Sequence, residues 1–367
     1  MSDCLPPLAR IPAEIVAVTD YEPYARARVE PSAWAYLTGG GADEITLRAN
    51  RGAFDALRLN PRVLTDFARS AGTEVTLFGR TFDHPILLAP VAYQKLAHPE
   101  GELATVQGAA AARAGMIVST HASVSLEEIA RAAQTPLWFQ LYVKADRGVA
   151  RELVQRAEAA GYAALVLTVD APVGGVRNGE QRAQFRLPPG VTAVNLPGAA
   201  PMGGRGIPPG SLRDGLLAAA PTWKDVEWLQ SLTRMPVLVK GILSVEDAGR
   251  AADVGAAGIV VSNHGGRTLD TLPATIAALP RIADRIGGRI PLLLDGGIRR
   301  GTDVLKALAL GATAVLVGRP LLYGLAAAGA PGVAHVLNVL RGELEGAMAL
   351  TGRATLAEID QSVIWRD

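Results

Sequence analysis

Eight short apolar runs recur along this chain, separated by stretches that carry helical start and stop signals. They are ILLAP (86–90), MIVST (116–120), LWFQLY (137–142), ALVLTV (164–169), PVLVK (236–240), GIVVS (258–262), PLLLD (291–295) and AVLVG (314–318). None alternates with polar residues, so each suits a strand covered on both faces, as in a parallel sheet. Ser125-Leu-Glu-Glu128 and Ser244-Val-Glu-Asp247 have the form of capping boxes and start helices between the runs. In AAGYAALVLTVD, DVGAAGIVVSNH and LALGATAVLVGR a helix stops near Gly161, Gly255 or Gly311 before the next apolar run. Eight strands alternating with helices predict an α/β fold, a (β/α)8 TIM barrel. The runner-up, a doubly wound open sheet, needs a reversal of strand order that a sequence does not display.

Two regions stand outside the repeat. Residues 1–80 hold helical patterns and a hairpin candidate, EVTLFGRTF, and are expected to form an N-terminal cap. Residues 178–221 interrupt the fourth unit with LPPGVTAVNLPGAAPMGGRGIPPGS, a loop long enough and rich enough in Pro and Gly to serve as a lid over a site. Thr222-Trp-Lys-Asp225 then restarts a helix. The expected organisation is one domain over 1–367, with the barrel over 85–330 and C-terminal helices over 331–367. With 49% hydrophobic residues there is ample material for a large core.

The bulk numbers also exclude partners. A net charge of +1 gives no electrostatic basis for binding nucleic acid or an anionic membrane. One cysteine, Cys4, rules out an intramolecular disulfide framework. The opening MSDCLPPLARIPAEIV is charged and proline-bearing, unlike a signal peptide. No stretch is expected to reach the roughly 20 uncharged apolar residues of a membrane span. The expectation is a soluble, cytoplasmic protein.

Barrel enzymes place their chemistry at the carboxyl ends of the strands. Those positions read Pro90-Val91-Ala92, Ser119-Thr120-His121, Gln140 with Tyr142, Thr168 with Asp170, and Lys240. They continue with Ser262, His264 and Arg267 in VVSNHGGRTLD, then Asp295-Gly-Gly297-Ile-Arg299 and Gly318-Arg319. Any one of these has a structural explanation, and Lys240 alone could be a buried ion-pair partner. Loading nearly every strand end with a polar or glycyl group points instead to a cofactor and substrate site. DGGIRRGTD and GRP offer glycine amides, a helix N-terminus and arginines, the chemistry of a phosphate site.

The segments YLTGGGADEITL, APVAYQKLAHPEGE, FQLYV, LTVD, LVKG, VSNHGGRTLD and LLDGGIRRGTDVLKALALGA occur in this order. From about Tyr36 to the C-terminal helices the chain thereby resembles the FMN-dependent 2-hydroxy-acid oxidases and dehydrogenases. That family includes glycolate oxidase, lactate oxidase, mandelate dehydrogenase and 4-hydroxymandelate oxidase. The resemblance implies FMN at the barrel mouth and no metal, with phosphate toward Arg299, Gly318 and Arg319. It implies the backbone of Pro90, Val91 and Ala92 on one side of the flavin ring, with Ser119, Gln140, Thr168, Ser262, Asp295 and Gly297 completing the cofactor site. Lys240 would stabilise negative charge on the flavin. His264 would be the base, Asp170 its orienting partner, and Arg267 and Arg177 the grip on the substrate carboxylate. Tyr36 and Tyr142 would supply phenolic hydroxyls.

The resemblance further implies oxidation of an (S)-2-hydroxy acid to the 2-oxo acid, O2 or another electron acceptor, and a homo-oligomer, a tetramer. Two features depart from the family pattern. The arginine doublet after the fourth strand reads Val176-Arg177, with Arg182 close by. His121 stands where glycolate oxidase has a bulky aromatic residue. With Tyr93, Gly174 and Gly175 this suggests a pocket altered for a larger or aromatic side chain, and YQKLAHPEGE resembles the 4-hydroxymandelate oxidase subgroup. An FMN enzyme modifying a larger, peptide-like substrate is the alternative within the fold. A flavin-binding protein without catalysis is the alternative outside it, and the presence of His264, Asp170, Arg267 and Tyr142 weighs against that.

Overall fold

In the computed structural model, residues 4–68, 72–143, 146–196, 208–212, 217–218 and 220–366 are described. Three helices come first, α1 (Tyr21–Arg26), α2 (Pro31–Thr38) and α3 (Ile45–Ala56), then a hairpin of β1 (Val75–Leu77) and β2 (Arg80–Phe82). The alternating part runs β3 (Ile86–Leu88), α4 (Glu102–Ala111), β4 (Met116–Ser119), α5 (Leu126–Ala132), β5 (Leu137–Leu141), α6 (Arg147–Ala159) and β6 (Ala164–Thr168). After a short helix, α7 (Asn178–Arg182), it continues with α8 (Trp223–Leu232), β7 (Val237–Ile242), α9 (Val245–Asp253) and β8 (Gly258–Val261). It ends with α10 (Thr275–Ile286), β9 (Leu292–Leu294), α11 (Gly301–Ala309), β10 (Ala314–Val317) and α12 (Arg319–Leu350). Strands β3 to β10 pair in parallel and in sequence order, and β10 closes on β3. These are the eight runs of the sequence, and the fold is the expected TIM barrel.

Each strand is buried on both faces because it feeds two cores. In β5, Leu137, Phe139 and Leu141 pack outward under the helices, while Trp138 points into the barrel. The barrel interior also holds Leu87, Ile117, Val166, Leu238, Val260, Leu293 and Leu316, with the smaller Ala164 and Ala314 leaving room for Trp138. The hairpin plugs the amino-terminal end. Trp138 lies 5.4 Å from the Phe78 ring and 6.0 Å from that of Phe82.

The helices of the N-terminal region belong to the opposite end. Asp270, beyond β8, accepts backbone hydrogen bonds at the start of α3 from Asp43 (3.1 Å), Ile45 (3.2 Å) and Thr46 (2.8 Å). Asn50 and Asn263 exchange side-chain amide hydrogen bonds of 2.9 and 2.8 Å. The expected cap is thus divided between the two mouths.

Residues 178–221 contain helix α7, and the chain re-enters the barrel where Thr222 caps α8 through Asp225 (backbone N to Oδ2, 2.7 Å). The expected lid falls partly on 197–207, 213–216 and 219, which lie outside the described residues. One expectation is corrected. Helix α12 is long and apolar enough to cross a membrane, the one such helix among the described residues. Its apolar surface is mostly buried in the protein, and its helical geometry breaks at Ala328 and Gly329. Hydropathy registers apolar length and cannot tell a core helix from a span.

If the hairpin seals the barrel through Trp138, Trp138→Ala should destabilise the fold by about 3–5 kcal/mol. Chemical denaturation followed by far-ultraviolet circular dichroism reads this as a lowered midpoint. An unchanged midpoint would mean that the plug contributes nothing.

Candidate active site

The carboxyl ends of the strands open on one continuous cleft. Its lining includes Pro90, Val91, Ala92, Ser119, Gln140, Tyr142, Thr168, Lys240, His264, Arg267, Asp295, Gly297, Arg299, Gly318 and Arg319, joined by Tyr36 and Arg177. Of the residues given a role by the family resemblance, only Asp170 and Ser262 stand behind this lining. Each is hydrogen-bonded to a residue that faces it.

His264 is held by strain and by three polar partners. Its φ is +58°, and Gly265 and Gly266 follow at +63° and +73°. A histidine in the left-handed region costs energy, which the glycines avoid, so the turn needs compensating contacts. The Ser262 hydroxyl accepts from the His264 backbone N–H at 3.0 Å. Asp170 Oδ1 stands 2.8 Å from His264 Nδ1, and the Tyr142 hydroxyl 3.4 Å from Nε2. With a carboxylate accepting at Nδ1, that nitrogen carries the proton, and the Nε2 lone pair faces Tyr142 and the cleft.

Burial works against the Asp170 charge, but the electrostatic influence and hydrogen bond of His264, with the positive charge of Lys240, outweigh it and hold the carboxyl below its ordinary range. Asp170 can come this close because residue 241 is glycine. Gly241 has φ +108°, a Cβ there would lie 2.5 Å from Asp170 Cβ, and the register of β7 shifts between Lys240 and Ile242.

Lys240 lies buried in the floor of the cleft. Its ammonium donates to Asp295 Oδ2 and to Ser262 Oγ, both at 2.8 Å. Burial alone would discharge it, yet Asp295 and Asp170 reverse that and hold it protonated above its usual range.

The opposite wall is cationic. Arg177 and Arg267 each lie 5.4 Å from the Tyr36 ring centroid, and Phe185 stacks on the same ring at 4.6 Å. Arg177 pairs with Glu180 at 2.9 Å. Arg177 lines the cleft while Arg182 is exposed, which separates the two candidates of the sequence. Arg267 donates to the Gly39 carbonyl at 2.7 Å, and Arg319 to the carbonyls of Thr38, Gly265 and Gly39 at 2.9–3.0 Å. Arg299 donates to the Ile298 carbonyl at 2.8 Å. Among the described residues none of Arg267, Arg299 and Arg319 forms an ion pair with a carboxylate. Burial, then the neighbouring Arg267 and Arg299, push the Arg319 guanidinium down to about 9. Such a cluster is favourable only when an anion joins it.

Other groups in the cleft also lack partners. Gln140 Nε2 and Thr168 Oγ1 are buried without a hydrogen bond. A Cβ on Gly318 would meet only Ala89 Cβ, at 3.8 Å, so its backbone is open to close approach. Gly175 has a different reason for its size: a Cβ there would overlap the Thr268 carbonyl, so it serves loop packing, whereas the sequence suggested a pocket adaptation. Glu180 and Phe185 went unrecognised because their segment reads as loop. The Arg177–Glu180 spacing of i, i+3, the separation of helix neighbours, was the available signal.

Comparison with known proteins adds the lineage. The chain is 48% identical over 356 residues to L-lactate oxidase of Nostoc sp., covering 94% of this chain and 96% of the relative. It is 45% identical over 359 residues to glycolate oxidase of Spinacia oleracea, covering 96% of each. A solved structure of mandelate oxidase with benzoyl-formic acid superimposes with a TM-score of 0.87 at 43% identity, over 95% of this chain and 98% of that one. Residues 25–366 match the family described as FMN-dependent dehydrogenase. With the closed barrel and nearly its whole length covered, this chain belongs to the FMN-dependent dehydrogenase family.

Proposed function

We propose that this chain oxidises an (S)-2-hydroxy acid to the 2-oxo acid with FMN as cofactor and O2 as final acceptor. The observation that carries the reading is the convergence on one cleft of His264 Nε2, the Tyr142 hydroxyl and the Arg177–Tyr36–Arg267 cluster, beside buried Lys240. The lactate, glycolate and mandelate oxidases among the relatives support the choice of substrate and of oxygen.

The residues present fit FMN. The partnerless Gln140 Nε2 and Thr168 Oγ1 suit the edge of a heteroaromatic ring, together with Ser119 and the backbone of Pro90–Ala92. Arg299, Arg319 and the open backbone of Gly318 suit a phosphate. FMN held there would supply a two-electron acceptor that O2 can reoxidise, with hydrogen peroxide as the co-product.

The chain's own groups do the rest. Arg177, Arg267 and the Tyr36 hydroxyl hold the substrate carboxylate, and Tyr142 orients the 2-hydroxyl. His264 takes a proton at Nε2, and Asp170 stabilises the imidazolium so formed. Lys240 contributes a fixed positive charge where negative charge arrives. Beyond the carboxylate, Tyr36, Tyr93, His121 and Tyr142 form a chain of ring contacts with centroids 6.1, 6.0 and 5.4 Å apart. This wall suits an aromatic or larger side chain better than glycolate.

Anaerobic mixing of the FMN-loaded protein with glycolate, lactate, 2-hydroxyoctanoate, mandelate and 4-hydroxymandelate, watched at the oxidised-flavin band, tests the reading. Bleaching by an S acid and fast recovery with peroxide on admitting oxygen is the expected outcome. Slow recovery would assign another acceptor. A yellow protein that no acid bleaches would reject small 2-hydroxy acids as substrates.

His264→Gln should lower the bleaching rate by about 10²–10⁴ with FMN still bound, since only the base is lost. Asp170→Asn should lower it by about 10²–10⁴, because the amide no longer favours the Nδ1-protonated imidazole or stabilises its cation. Rapid-mixing kinetics of both variants check this, and a loss confined to KM would contradict both roles.

A further inference from the structure

The amides leading into α11 are taken by the chain itself. Asp303 Oδ2 accepts the backbone N–H groups of Arg299 (2.8 Å) and Arg300 (2.9 Å), and Glu343 Oε2 accepts that of Gly301 (2.7 Å). Of the phosphate-site features read in DGGIRRGTD, the charged group that faces the cleft is the Arg299 side chain. Behind this loop the Asp303 side chain is only 1% exposed, and α3 supplies the guanidinium that grips it. Arg51 Nη2 donates to Asp303 Oδ1 at 2.8 Å and Nη1 to Oδ2, a two-pronged pair. Nη1 also reaches the Gly297 carbonyl at 2.7 Å. Gly297 itself lies against α3, since a Cβ there would overlap the Asn50 carbonyl. Arg51 thus fixes the carboxylate, and the carboxylate fixes the peptide that carries Arg299.

We propose that Asp303, clamped by Arg51, is a positioning residue that aims the Arg299 guanidinium at the phosphate of FMN. This rests on the reading that Arg299 and Arg319 hold that phosphate. Asp303 and Arg51 do not line the cleft and act through the peptide at Arg299. Burial holds the Arg299 guanidinium below its usual range; Arg51 adds to this and Asp303 opposes it. Charge and position therefore predict opposite signs when Asp303 is removed. Deleting a negative charge and freeing two amides would, by electrostatics alone, tighten the binding of a phosphate. Losing the aim of Arg299 would loosen it.

The test uses the full-length protein freed of flavin and titrated with FMN and with riboflavin, which lacks the phosphate, each followed by flavin fluorescence. The wild type should prefer FMN by about 10² or more. Asp303→Ala should shrink that preference by about tenfold, with riboflavin binding as in the wild type. Arg51→Lys keeps the charge but cannot form the fork, and should shrink the preference in the same direction. Either variant that binds riboflavin carries the test. A preference that grows or stays constant in the variants would overturn the proposal. Equal weakening or loss of both flavins, as a purely structural residue would give, would overturn it as well. A wild type that binds riboflavin as tightly as FMN would overturn the phosphate reading itself. A wild type that prefers FMN, with variants of unchanged preference, would overturn the role of Asp303 alone.

Discussion

The Lys240 ammonium is the group around which the mouth of this barrel is organised. A buried, unpaired ammonium would cost several kcal/mol or lose its proton. Asp295 at the end of β9 and Ser262 at the end of β8 therefore close on it, both at 2.8 Å. Ser262 in turn accepts from the His264 backbone, and Asp170 after β6 takes the imidazole. The ends of four neighbouring strands are thus tied by one charge. The parallel register of β6 to β9 delivers all these groups to the same rim, and the bulge at Gly241 lets the Asp170 side chain pass close to β7.

Across the cleft the electrostatic arrangement is reversed. Lys240 has its counter-ion inside the protein, whereas Arg267, Arg299 and Arg319 meet mainly backbone carbonyls, and burial beside Arg267 and Arg299 holds Arg319 at about 9. Carbonyl oxygens orient a guanidinium but carry no full charge. The fold sustains this deficit because Thr38, Gly39 and Gly265, which supply the carbonyls, are themselves anchored. The Gly41 N–H donates to the Gly266 carbonyl at 2.7 Å, and Asp270 caps α3. One side of the cleft carries its own counter-ions, and among the described residues the other has cations without them.

The barrel and most of the site were legible in the sequence for one reason. In a closed parallel sheet a residue's place relative to its strand end fixes its place in space, so reading eight strand ends read the rim. Contacts that depend on distant pairings were not legible in this way. Nothing local in Phe78 or Phe82 announces Trp138 as a partner, so the hairpin could be read while its end of the barrel could not. Asp270 and the start of α3 are separated by some 225 residues. Helix α12 has the hydropathy of a span because a core helix and a span bury the same chemistry. Glu180 was hidden by its neighbourhood, since proline and glycine set the composition of the segment and masked a five-residue helix.

That helix matters beyond its size. Tyr36 comes from α2, ahead of the barrel, and Arg267 from the turn after β8, so neither element by itself determines where a carboxylate would sit. The segment after β6 joins them: Arg177 lies against Tyr36, Phe185 stacks on it, and Ala42 N–H donates to the Val176 carbonyl at 2.7 Å. Gly175 lets the same segment press against the Thr268 carbonyl beside Arg267. Two rigid parts of the fold are thereby held in register by a third that has little core of its own. Among the described residues its side of the cleft is held by contacts such as the Arg177–Glu180 ion pair, the Phe185–Tyr36 stack and the Ala42–Val176 backbone bond, whereas the His264 side rests on the sheet. Small changes after β6 should therefore shift what the cleft accepts sooner than they alter its chemistry.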